Sequence, residues 1–144
     1  MADIHHRLTM CAPHDDDVFA AIAMEVLASA SSQGVARCAV VFDRETELEW
    51  HLDDEPNRRP SIPIPRGARS ASLRVLDGPV DWVGTEIVVQ LGRRDRTETV
   101  VRLSHRHWRD GDSDEMATNT TRWGQLLLGL KRRVETPEPD DTRL

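Results

Sequence analysis

Residues 99–108 read TVVRLSHRHW. Val101, Leu103, His105 and His107 fall on one face of this stretch, and Arg102, Ser104 and Arg106 on the other. A strand turns successive side chains to opposite faces, so the period of two predicts a strand whose apolar inner face ends in two histidines. The next segment changes period. In GDSDEMATNTTRWGQLLLGLKRRVE, residues 111–135, Met116, Trp123, Leu126, Leu127, Leu130 and Val134 make one apolar stripe at helical spacing. Asp112, with Glu115 three residues on, predicts a capped start, and Pro137 and Pro139 predict the stop.

Upstream, GTEIVVQL (84–91) alternates again, with Thr85, Ile87, Val89 and Leu91 inward and Glu86, Val88 and Gln90 outward. SASLRVLD (70–77) is a further strand, closed by a Gly78-Pro79 turn. ARCAVVFD (36–43) and ETELEWHLD (45–53) form two more, and Asp43-Arg44 is the expected hairpin turn between them. Trp50 shares a face with Leu48 and Leu52. Prolines at 56, 60, 63 and 65 remove ladder donors, which makes that stretch loop-like. At the N-terminus, Ile4, His6, Leu8 and Met10 share the inner face of a first strand. Asp15 to Asp17 then crowd the positive end of a helix, expected from about residue 15 and broken into two near 24. The fold class is α+β: a curved antiparallel sheet wrapped around a long C-terminal helix, with two short helices after the first strand. One domain is expected over 1–136, with a flexible acidic tail at 137–144.

The chain has 144 residues and a net charge of −6, and Lys131 is its one lysine among 19 basic residues. No basic stripe is available for phosphates, which excludes nucleic acid as an expected partner. No apolar run reaches the roughly 20 residues a membrane span requires, and the first residues carry no signal-peptide pattern. Cys11 and Cys38 form no paired motif. A soluble protein of the reduced cytoplasm is the expectation.

Three segments in this order, PVDWVGTEIVVQL (79–91), TVVRLSHRHW and MATNTTRWGQLLLGLKRRVET (116–136), resemble the START-like (SRPBCC, helix-grip) superfamily. Within it they are most similar to the group related to the C-terminal domain of the Hsp90 ATPase activator. IHHRLTM (4–10) and VFAAIA (18–23) fit the same group, so the resemblance covers 1–27 and 70–136. Relatives carry a tryptophan pair where this chain has LASASSQG (27–34), and a His-x-x-Trp pattern matching His105 and Trp108. The resemblance implies a hydrophobic cavity between the sheet and the last helix. The inward faces then supply its candidate lining: Trp50, Ile87, Val89, Leu103, His105, Thr120, Trp123 and Leu127. His6, Trp82 and His107 are candidates for the rim.

His6, His105 and His107 together would be a conceivable zinc site, but no cysteine or carboxylate completes a four-ligand set. A structural or ligand-orienting role is favoured for His105, and no metal and no cofactor are expected. The leading reading is a START-like binding protein holding a small hydrophobic ligand, with binding favoured over catalysis. One alternative is a cyclase- or dehydratase-type enzyme using His105 as general acid or base. Another is a protein-interaction module like the Hsp90 activator. A homodimer is left open.

Overall fold

The computed structural model describes residues 2–10, 16–43, 47–51, 64–93, 98–108 and 114–135. Its elements are β1 (Ala2–Met10), α1 (Asp16–Ser32), β2 (Arg37–Phe42), β3 (Glu47–His51), β4 (Ser70–Asp77), β5 (Glu86–Arg93), β6 (Thr99–Trp108) and α2 (Asp114–Glu135). All strand pairs are antiparallel, in the order β1-β6-β5-β4-β2-β3, so the first and last strands of the chain are neighbours. Both helices contribute to a core on one face of this sheet, the α+β arrangement expected from the sequence.

The segment after β1 differs from expectation. It is one uninterrupted 17-residue helix, not two short ones. Phe19, Ile22, Ala23, Val26, Leu27 and Ala30 are all buried and follow the i, i+3, i+4 spacing straight through residue 24. Nothing in LASASS breaks a helix; the break comes only at Gly34, at φ +95°. There Gly34 N–H donates to Ser31 O at 3.0 Å and Val35 N–H to Ala30 O at 3.1 Å. This is the paired bonding of a Schellman stop, with buried Val35 as its apolar contact.

β3 pairs with β2, the neighbour expected from the sequence, and lies at the edge of the sheet. β4 pairs with the other side of β2. Asp43 ends β2 at φ 53°, and its Oδ1 accepts the backbone N–H of Arg69 and of Ser70, both at 3.0 Å. That carboxylate fastens the start of β4 beside the end of β2. The Asp43-Arg44 turn, the Asp112 cap, the proline-rich 54–68 stretch and the 137–144 tail lie wholly or partly outside the described residues.

Cys38, Val40, Leu73, Val75, Ile87, Val89, Val101 and Leu103 supply the sheet's inner face, and Trp123, Leu127 and Leu130 the facing side of α2. Burying each large aliphatic side chain contributes about 1.5–3 kcal/mol relative to leaving it in water. α2 is also clipped to β1. His6 Nε2 donates to Thr120 O at 2.9 Å, and Lys131 Nζ donates to Thr9 O at 2.7 Å. A Cβ on Gly124 would meet His6 Cε1 at 3.4 Å, so glycine lets the ring lie close against the helix. Among the described residues, no helix is long and apolar enough to cross a membrane.

Candidate functional site

His105 sits in β6 opposite Ile87 of β5 and Ile4 of β1, with its side chain fully buried under α2. Trp123 Nε1 donates to His105 Nδ1 at 3.1 Å. An indole N–H can only donate, so Nδ1 is the unprotonated nitrogen and the proton of the neutral ring lies on Nε2. Nε2 then donates to Thr85 Oγ1 at 2.8 Å, and the Thr85 hydroxyl donates to Trp82 O at 2.6 Å. The result is a directed chain from α2 through β6 to the turn before β5. Burial lowers the imidazole pKa from 6.5 to about 3, so the ring is neutral at physiological pH.

Two tryptophans enclose this chain. The Trp82 ring centroid is 4.8 Å from that of His105 and the Trp123 centroid 5.9 Å away, both edge-to-face. The tryptophans are themselves 6.3 Å apart. Trp82 was expected at a rim, yet it has no exposed surface. The turn explains this. Pro79 O accepts from Trp82 N–H at 2.9 Å, and Gly84, at φ +88°, donates its N–H to Val75 O at 2.9 Å. The turn folds back on the end of β4 and carries the indole inside. Gly78, where the turn begins, lies against the link between α1 and β2: a Cβ there would meet Val35 Cα at 2.9 Å.

The other candidates fall into three groups. Ile87, Val89, Leu103 and Trp123 have zero accessible surface and Leu127 has 2 %, so no water-sized space adjoins the first four. Thr120 is exposed, with its hydroxyl donating to Met116 O; only its carbonyl meets an inward residue, His6. It is therefore misplaced as an interior ligand-orienting group. Trp50 lies in β3, with its side chain outside the described part.

The three histidines are not brought together. Ala2 pairs with Trp108 but Ile4 pairs with His105, so β6 has an extra residue there. His107 takes φ 70° in this bulge, is exposed, and donates its N–H to Asp3 Oδ1 at 3.0 Å. The bulge breaks the alternation that had placed His107 beside His105. His6 faces Leu103 across the ladder and turns to α2. Among the described residues no three histidine, cysteine or carboxylate side chains are placed to hold a metal ion.

Alternation within β6 hid a pair on the outer face. His5 Nδ1 lies 2.9 Å from Ser104 Oγ, and His5 Nε2 lies 3.8 Å from Asp3 Oδ2. Only the cross-strand register, pairing His5 with Ser104, reveals it. The His5 side chain is 60 % exposed, so water competes for its bonds and the group lacks the dry setting that activates a nucleophile. Further across this face a groove of about 360 Å³ runs over Val41 and Val88, edged by Ser72, Glu86, Gln90 and Arg106.

The sheet order and the two helices on its core face, the second of them C-terminal, define an α+β fold of the helix-grip kind. No family model and no curated protein matches the chain. Solved structures do. The Aha1 dimer from Colwellia psychrerythraea is 22 % identical at TM-score 0.54, over 96 % of this chain and 100 % of that one. The di-domain ARO/CYC BexL from the BE-7585A biosynthetic pathway is 19 % identical at TM-score 0.54, over 96 % of this chain but 48 % of its own. Protein MLL2253 from Mesorhizobium loti is 12 % identical at TM-score 0.54, over 96 % and 100 %. At these identities the likeness is one of fold.

Proposed function

We propose that the protein is a START-like binding module and not a catalyst. The observation that carries this is the engagement of both His105 nitrogens, one accepting from Trp123 and the other donating to Thr85. A general acid or base exchanges a proton with its substrate and works best with a pKa near ambient pH. His105 has neither a spare nitrogen nor such a pKa. This argues against the aromatase/cyclase type of chemistry that the name of BexL suggests.

Among binding modules, a macromolecular partner held on the outside fits better than a small apolar molecule held inside. Residues that border a pocket keep surface that water or ligand can touch, and Ile87, Val89, Leu103 and Trp123 keep none. The resemblance to the Hsp90-activator group, and the Aha1 neighbour, make an Hsp90-type ATPase the first partner to try. The second reading is the small apolar ligand, favoured by the aliphatic and indole character of the layer under α2. Such a ligand has to part α2 from β6 and break the Trp123–His105 bond.

The test is native mass spectrometry of protein purified from its own host, alongside retention of a purified Hsp90-type ATPase. A protein free of small molecules that retains the ATPase supports the first reading. A stoichiometric apolar molecule replaces it with the second. Retention of neither overturns the Hsp90-type assignment.

A further inference from the structure

The two edges of the sheet differ in length and charge. β1 has nine residues and β3 has five. An unpaired edge offers its backbone groups to any other chain, so a long regular one needs a partner or a deterrent. Among the described residues β1 pairs as a strand with β6 alone, and Lys131 already holds the carbonyl of Thr9 near its far end. The stretch from Ala2 to Leu8 is left, with Asp3, His5 and Arg7 exposed on the outer face.

A second copy fits this stretch. In a continuous antiparallel sheet, residues directly opposite each other share a face, so the twofold axis must fall on a residue. Centring it on His5 sets Asp3 against Arg7 of the second copy and Arg7 against its Asp3. Centring it on Arg7 sets guanidinium against guanidinium. Centring it on Ile4 or His6 makes no carboxylate–guanidinium pair. β3 offers nothing comparable. Centred on Leu48 it opposes Glu47 to Glu49, and centred on Glu49 it opposes that residue to itself.

We propose that β1 is a self-complementary dimer edge: two copies join β1 to β1 antiparallel about His5, each Asp3 facing Arg7 of the other. The twofold contact closes on itself, so assembly stops at two. This interface holds whichever partner the module binds.

Light scattering on the full chain after size exclusion, at micromolar concentration, tests it. Wild type runs as a dimer, and Arg7→Asp and Asp3→Arg each run as monomers. An equal mixture of the two variants recovers the dimer, because one copy's acids then meet the other's arginines. Asp3 also receives the His107 N–H, so Asp3→Arg is checked for folding by its melting curve. A second measurement does not need that variant. His5→Cys in a Cys11→Ser background forms an interchain disulfide on oxidation, and adding Arg7→Asp abolishes it. A wild type that stays monomeric, a dimer that Arg7→Asp leaves intact, or open-ended assembly overturns the proposal.

Discussion

Acid should destabilise this protein through His105. Its imidazole is fully buried between Trp82 and Trp123, and burial lowers its pKa from 6.5 to about 3. The unfolded chain takes up a proton near pH 6.5, whereas the folded chain resists until about pH 3. The unfolded state therefore binds more protons in this window. Stability is unaffected above the window, falls as pH drops through it, and levels off below about pH 3. One pKa unit corresponds to about 1.4 kcal/mol, so going from pH 7 to pH 5 costs roughly 2 kcal/mol at this one residue. That interval also stays above the usual carboxylate range. His105→Gln keeps a side-chain donor and acceptor but does not titrate. Urea unfolding of both proteins at both pH values gives the difference. Wild type should lose about 2 kcal/mol more than the variant. Equal losses, or an imidazole that protonates near pH 6 by NMR, would refute the reasoning.

Trp123→Phe removes the indole donor from His105 Nδ1 and should cost about 1–3 kcal/mol in the same urea assay. Nitrogen-15 NMR of wild type should find His105 protonated at Nε2, the tautomer its two partners require. Gly34→Ala forces a Cβ into the left-handed stop of α1 and should cost about 1–2 kcal/mol, read as a lower urea midpoint. Burial pushes the Cys38 thiol up to about 12, so in a Cys11→Ser background a thiol reagent should label the chain only on unfolding.

The inner faces of β5 and β6 and the apolar stripe of α2 were legible because strand and helix periods are local. Ile87, Val89, Leu103, Trp123 and Leu127 are all buried. The continuity of α1 is faint in the sequence because Ala23 and Ala30 carry part of its buried face, and small residues leave a weak pattern. The outward turn of His107 has no local signal, because the bulge that breaks the alternation exists only in the pairing with β1. The contact of His5 with Ser104 was hidden because register is a relation between strands 99 residues apart in sequence.

By itself, then, the sequence determined which side chains share a face, since that depends on backbone period alone. Only the tertiary structure decided what those faces meet. The segment around Trp82 has no period, and its turn bonds and Gly84 carry the indole under α2. That placement sets the indole against His105, which spends both nitrogens on its neighbours.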